Sequence, residues 1–328
     1  PTSEMLEVMM QAKVGDDVFG EDPNVNLLEQ KCAEMFNMEA SIFCPSGTMT
    51  NQIGINVLSR PYEEIICYKG AHIYKYEGGG IAGNSGLSFR LLEGDRGVLD
   101  LDEILANINV DDIHFPVTSI VELENTVNKG GGKCYTLEEI SSISNGSRAH
   151  GMKMHLDGAR LFNALVATGD KSEDYGHYFD TISICLSKGL GAPVGSILLG
   201  SNDLMKQARR VRKYFGGGMR QAGYLAAAGI YALDNHVDRL AQDHHRAKQL
   251  EVVLKNQGYV KEVLPVETNI VIFELQDGIT AEACLDKLKA KGVLAVPFGP
   301  SEVRFVTHLD YDDDMLEKTV QAIKTLSF

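Results

Sequence analysis

No apolar run in this sequence of 328 residues approaches the roughly 18 needed to span a bilayer, so no membrane partner is expected. The chain opens on Pro1-Thr2-Ser3-Glu4, without the basic, apolar start of a cleavable leader, and its start on Pro1 without a methionine suggests a clipped N-terminus. No two of the six cysteines, Cys32, Cys44, Cys67, Cys134, Cys185 and Cys284, have C-x-x-C spacing. Several lie in apolar stretches such as Ser41-Ile42-Phe43-Cys44, as reduced, mostly buried thiols of a cytoplasmic protein would. Positive charge is also scarce: 31 Lys and Arg face 45 Asp and Glu, and the net charge of −14 argues against a nucleic-acid partner. The one basic cluster is Arg209-Arg210-Val211-Arg212-Lys213. Among the nine histidines only His244-His245 are adjacent. Neighbouring helix positions point about 100° apart, a poor metal clamp, so the pair is expected at the surface and no metal site is expected.

What is present is the composition of an ordinary globular protein, 44% hydrophobic and 23% charged, long enough for one large α/β unit with an appendage. Seven short apolar runs read as strands: Ser41–Cys44, Glu64–Tyr68, Ser88–Leu92, Ser119–Glu124, Met152–Leu156, Thr181–Leu186 and Val194–Leu199. Several are continuously apolar, as in a parallel sheet covered by helices on both faces. Helical patterns lie between some of them, from Leu101 to about Asn107 and after Tyr135-Thr136-Leu137. The predicted class is therefore α/β, a large domain over residues 1–236 with a mostly parallel seven-stranded sheet. From Val237 the pattern changes to a long amphipathic helix carrying Leu240, Ala241, Ala247, Leu250 and Leu254. Strand-like Asn269–Leu275, a helix near Ala281–Lys291, strand-like Val293–Pro297 and Val303–Thr307, and a helix from Asp313 complete a small C-terminal α+β domain, residues 237–328.

The run Thr181-Ile182-Ser183-Ile184-Cys185-Leu186-Ser187-Lys188-Gly189-Leu190-Gly191 ends an apolar strand on a lysine. At the edge of an apolar site an amine loses part of its solvation, which favours the neutral form that makes imines; the plain alternative is a strand-end lysine reaching solvent. The glycines after it resemble a dinucleotide loop, but that motif needs a helix directly behind it, and here Pro193 and a strand follow. Asp157, in His155-Leu156-Asp157-Gly158-Ala159-Arg160, closes a buried strand where α/β sheets bind ligands. Such a carboxylate can keep the pyridine nitrogen of pyridoxal phosphate protonated, or simply cap a helix. Asp157 and Lys188 are 31 residues apart, one strand–helix–strand unit, which predicts neighbouring strand ends. Cys44-Pro45-Ser46-Gly47-Thr48 runs from a strand into a helix start, a place for a phosphate or merely a cap. His72, after the strand Glu64–Tyr68, is placed to stack on a cofactor ring or to be an ordinary loop histidine.

Together these residues resemble the threonine aldolase family of fold-type-I pyridoxal-phosphate enzymes, with the aspartate aminotransferase-like architecture, over nearly the whole chain. The segments that carry the resemblance are Gly15-Asp16-Asp17-Val18-Phe19-Gly20-Glu21-Asp22-Pro23, Ser46-Gly47-Thr48, His155–Asn163, Leu186-Ser187-Lys188-Gly189-Leu190 and Gly216-Gly217-Gly218-Met219-Arg220-Gln221, in the family's order. The resemblance implies pyridoxal 5'-phosphate as cofactor, Lys188 as the imine lysine and Asp157 on the pyridine nitrogen. It implies Arg160 near the 3-hydroxyl, His72 on the ring, and Gly47 and Thr48 at the phosphate. Lys213 and Arg220 match positions that reach the cofactor from a neighbouring subunit, which implies a homo-oligomer, a dimer or a dimer of dimers. Arg304 matches the arginine that grips the substrate carboxylate. Two departures stand out: the family's Arg-Ser-Asp-Thr-Val-Thr start is missing ahead of Pro1-Thr2, and Val127 takes the place of a histidine that faces the substrate hydroxyl in many relatives. Val127 is accordingly expected as an apolar wall of the substrate site.

The activity so implied is cleavage of L-threonine, L-allo-threonine or a related small β-hydroxy-α-amino acid to glycine and an aldehyde, with His72 as the base on the β-hydroxyl. A β-eliminating lyase or an aminotransferase of the same fold would share Lys188 and Asp157, and a non-catalytic cofactor-binding protein would have no use for Arg304.

Overall fold

The computed structural model describes residues 1–328. All seven apolar runs are strands: β1 (Ala40–Cys44), β2 (Glu64–Tyr68), β3 (Ser88–Leu92), β4 (Thr118–Glu124), β5 (Lys153–Gly158), β6 (Thr181–Cys185) and β7 (Ser196–Gly200). They form one sheet in the order β1-β7-β6-β5-β4-β2-β3. From β6 to β3 every neighbouring pair is parallel, whereas β7 runs antiparallel to both β6 and β1. Every residue of β6 and β7 is buried, because helices cover both faces. On one face Phe43, Val121, Leu156, Ile182 and Ile197 join the largest core with helices that include Pro23–Met35, Leu137–Ala149 and Leu161–Thr168. On the other, Ile42, Cys67, Ile120 and Leu198 meet the helices Gly47–Leu58 and Asn202–Tyr214.

The helix Gly47–Leu58 sits unusually close to the sheet. A Cβ at Gly54 would lie 2.8 Å from Cε1 of His155 and 3.0 Å from Cδ1 of Leu198, distances that real side chains do not adopt. Its start is fixed by Ser46, whose hydroxyl accepts the Met49 N–H at 3.2 Å. The approach presses the polar residues Thr50, Asn51 and Gln52 against the sheet, all buried. Register places Glu124 beside Asp157, and Asp157 beside Ser183, so the carboxyl ends of β4, β5 and β6 lie in a row.

A second, antiparallel sheet has the order β10-β11-β9-β8, with β8 at Val260–Val263, β9 at Ile270–Leu275, β10 at Val296–Pro297 and β11 at Glu302–Val306. It packs with the helices Leu240–Lys255, Ala281–Ala290 and Asp313–Lys324 around a core of its own. Within the first of these helices Leu240 still belongs to the large core, and Ala247, Leu250 and Leu254 to the small one. The strand expected over Val293–Pro297 shortens to two residues, since Pro297 cannot donate to a ladder and Leu294 faces solvent. His244 corrects the expectation of a surface pair. It is half-buried against the large domain, its Nε2 3.1 Å from Asn163 Nδ2, and burial pushes the imidazole down to about 4.

One buried group inside β4 gives a pH test. Glu122 is 1% exposed and neither carboxylate oxygen has a partner. Burial first, and the charge of Glu124 second, hold its carboxyl well above the usual range. A folded value above the unfolded one means that stability is fully present below the unfolded value of about 4.3 and is lost as pH rises through the folded value. Glu122→Gln should therefore melt like the parent near about pH 4 and above it near about pH 8.5. Parallel melting curves at both pH values would show that the carboxyl has an internal partner.

Candidate active site

Lys188 stands just past the end of β6, and its Nζ donates to Sγ of Cys185 at 3.2 Å. A thiol is a weak acceptor, and no carboxylate pairs with this amine in an ion pair. The first turn of the helix Gly47–Leu58 comes up to it from one side. A Cβ at Gly47 would lie 2.6 Å from Cys185 Sγ and 3.9 Å from Lys188 Nζ, so only glycine allows the helix terminus, with its unpaired N–H groups, to approach the amine.

Asp157, buried at the end of β5, accepts the Ala159 N–H at 3.0 Å on Oδ1 and Nδ2 of Asn51 at 2.8 Å on Oδ2. The same Asn51 nitrogen donates to Glu77 Oε1 at 2.9 Å, while its oxygen lies 3.2 Å from Nε2 of His155. His155 is fully buried, burial pushes it down to about 4, and its Nδ1 is 2.8 Å from Oγ1 of Thr181. A neutral His155 carrying its proton on Nε2 donates to Asn51 and accepts from Thr181, which fixes the way the asparagine faces. Asp157 is thus aimed by a chain of hydrogen bonds that starts on the neighbouring strand, β6.

His72 lies opposite. Its Nδ1 is 3.0 Å from Glu77 Oε1, and Gln52 donates to the other oxygen of Glu77 at 2.7 Å. The Glu77 carboxylate raises the imidazole above its ordinary value against the opposing effect of burial. Glu124 at the end of β4 accepts two backbone N–H groups, from His72 at 3.1 Å and from Asn128 at 2.9 Å. Burial, reinforced by the charge of Asp157, nevertheless pushes its carboxyl up to about 7.

These groups open onto a cavity of about 360 Å³. His72, Glu124, Asn128, Arg160 and Lys188 line it from the large domain, and Phe298 and Arg304 from the small one. Arg304 donates through Nη1 to Oδ1 of Asn128 at 2.7 Å, and its Nε is buried with no partner. Burial and the nearby Arg160 guanidinium press Arg304 down from its ordinary range.

The structure thus gathers Lys188, Asp157, His72, Arg160, Gly47 and Arg304 around one site, with Thr48 exposed in the helix turn next to Gly47. Val127 is a correction. An antiparallel bridge to Lys133 (Val127 N–H to Lys133 O, 2.8 Å) turns its side chain into the large core, against Gly97 and Gly130. It is 0% exposed and outside the cavity, and Asn128, the next residue, faces the cavity instead. Lys213 and Arg220 do not reach this cavity in their own chain. Lys213 lines a separate hollow of about 750 Å³ with Phe19, Arg209 and Arg210, and Arg220 pairs with Asp16 at 2.5 Å. Asn51, Gln52, Glu77 and Glu124 were absent from the sequence-based set.

Residues 1–277 match the beta-eliminating lyase family. The low specificity L-threonine aldolase of Escherichia coli K12 is 42% identical over 319 residues, which cover 96% of this chain and 93% of that protein. Low-specificity L-threonine aldolase 1 of Arabidopsis thaliana is 39% identical over 315 residues, covering 94% and 88%. Among solved structures the threonine aldolase of Leishmania major matches with a TM-score of 0.86 at 22% identity, over 98% of this chain and 95% of the other, a likeness of fold. No helix is long and apolar enough to cross a membrane. A fold shared end to end, and about two residues in five shared with aldolases along nearly their whole length, lead to one placement: the chain belongs to the beta-eliminating lyase family, among its low-specificity threonine aldolases.

Proposed function

We propose that this protein is a pyridoxal-phosphate-dependent aldolase cleaving L-threonine, L-allo-threonine and related β-hydroxy-α-amino acids to glycine and an aldehyde. The observation that carries the reading is the convergence of Lys188, His72 and Arg304 on one cavity from three separate elements, with the Asp157 carboxylate within 4.8 Å of the His72 ring nitrogen behind it. The residues fit the cofactor. Lys188 offers an amine tied only to a thiol, Gly47 lets the helix start lie against Cys185 and close to that amine, and the N–H groups of the helix start suit a phosphate at Gly47 and Thr48. Asp157 would face the pyridine nitrogen, Arg160 the 3-hydroxyl, and His72 the ring.

Bound there, pyridoxal phosphate supplies a sink for the electrons of a breaking Cα–Cβ bond. Arg304 holds the substrate carboxylate, with its unpartnered Nε as a waiting donor. That anchor orients the substrate so that the Cα–Cβ bond, and no other, is set to break. His72 takes the proton of the β-hydroxyl, made a stronger base by Glu77 behind it. The aldehyde leaves as the carbonyl forms, and a proton delivered to Cα completes glycine. Incubation of the cofactor-loaded protein with threonine tests the reading: acetaldehyde and glycine in equal amounts are expected. A keto acid without free ammonia would mark an aminotransferase, and a keto acid with ammonia an eliminating lyase.

Lys213 and Arg220, which lie outside the cavity of their own chain, would serve the cofactor phosphate of a neighbouring subunit in a homodimer or a dimer of dimers. Light scattering on the active protein should give a dimer or tetramer. A fully active monomer would remove this role.

A further inference from the structure

Arg304 belongs to the small sheet and Asn128 to the loop after β4 of the large one, and their hydrogen bond joins the two across the mouth of the cavity. The geometry around the guanidinium is specific. Nη1 is committed to Oδ1 of Asn128 at 2.7 Å, Nε is buried without a partner, and the plane lies 5.2 Å from the centroid of the Phe298 ring. Asn128 is itself held, because its backbone N–H donates to Glu124 Oε1 at 2.9 Å. The next residue reinforces the same junction: Lys129 Nζ lies 3.6 Å over the Phe298 ring and donates to the Phe298 carbonyl at 3.1 Å.

A guanidinium presents its five N–H donors in one rigid plane, so fixing one nitrogen fixes which edge remains for a carboxylate. With Nη1 taken, the parallel pair left is Nε and Nη2. An amide oxygen is a suitable holder because it orients the fork and leaves its charge uncompensated. A carboxylate in its place would neutralise the arginine and compete with the ligand.

We infer that Asn128 is a positioning residue for the substrate: it rotates Arg304 so that the Nε–Nη2 edge receives the carboxylate, and the bound carboxylate satisfies the buried Nε. The inference rests on the reading of Arg304 as the carboxylate anchor. It explains why the residue after Val127 faces the cavity and makes its side-chain contact with an arginine of the other sheet. Asn128 serves substrates by their α-carboxylate, so its effect is the same whichever side chain they carry.

The test compares Asn128→Ala, Asn128→Asp and Arg304→Ala in the cofactor-loaded protein, through kcat and KM for threonine and the equilibrium affinity for glycine. Melting temperature serves as a folding control. Asn128→Ala should raise KM and weaken glycine binding by about 10- to 100-fold, the effect of losing one hydrogen bond to a charged group, with kcat within about threefold. Asn128→Asp, nearly identical in shape, should be worse than alanine for both binding quantities. A purely structural role predicts the reverse order, with aspartate close to the parent and alanine lowering kcat and melting temperature. That order, or an unchanged KM in Asn128→Ala, overturns the inference while Arg304→Ala still binds glycine weakly. If Arg304→Ala itself keeps parental KM and glycine affinity, the anchor reading fails first and Asn128 loses its role with it.

Discussion

Lys188→Ala should lose the visible absorbance of the lysine-bound cofactor and lower kcat by at least about 10⁴-fold, the scale seen when a covalent catalytic group is removed. The expectation follows from the surroundings of the amine. Its hydrogen bond is to Cys185 Sγ, a poor acceptor, so nothing in the structure binds the side chain as a structural ion pair would. The helix start at Gly47 approaches closely enough that a methyl group there would collide with Cys185, an arrangement with no benefit to packing. The fold should be untouched, since a half-buried lysine without an ionic partner contributes little stability, and a melting temperature within a few degrees of the parent is expected. Arg304 and Arg160 remain in the variant, so substrate can still enter, and the loss should lie in kcat. Near-parental colour and turnover would show that Lys188 is only a strand-end lysine.

The sheet was legible because most of its strands are short apolar runs buried on both faces, and the expected runs differ from the observed strands by only a residue or two at most ends. β8 was not, for the opposite reason: Val260-Lys261-Glu262-Val263 places two adjacent charged residues between two valines at the edge of the small sheet, where two of its four side chains face water. Lys188 and Asp157 could be found because each ends a buried strand and their spacing is one strand–helix–strand unit. Glu77 could not, because its importance lies in what meets it from elements far off in sequence. Two local signals did exist. Thr50-Asn51-Gln52 interrupts an otherwise apolar helix, and Glu122 and Glu124 place two acids on the same face of a strand whose other residues are mostly apolar. A carboxyl in such a strand costs free energy unless something uses it, which makes it a marker of a site. Val127 misled because its position in the chain was read as a position in space. One residue along a strand-like segment reverses the direction of a side chain, and the bridge to Lys133 puts Val127 on the inner side and Asn128 on the outer.

Asp157 gives the second large effect, and the choice of replacement separates its two readings. The helix that follows is capped at Arg160, so Asp157 is not its cap; as a mere turn residue Asp157 needs only an oxygen that accepts the Ala159 N–H, which asparagine supplies as well as aspartate does. As the partner of the pyridine nitrogen it must carry a negative charge, which asparagine cannot. Asp157→Asn should therefore fold and bind the cofactor, with its absorbance present, yet lose about 10³-fold or more in kcat, at the upper end of what one well-placed electrostatic partner contributes. Asp157→Ala should be as slow, and slightly less stable through loss of the Ala159 bond. The surrounding network sharpens the test. Asn51 donates to Asp157 and to Glu77 together, so one amide supplies a hydrogen bond to each of the two carboxyl groups. Asn51→Leu, close in volume, removes those donors and leaves two buried carboxylates facing each other without them. It should lower kcat in the same direction as Asp157→Asn but by less, since the charge survives and only its aim is lost. If Asp157→Asn turned over threonine at near the parental rate, Asp157 would be only a turn residue, and the electron sink would have to be maintained by some other group.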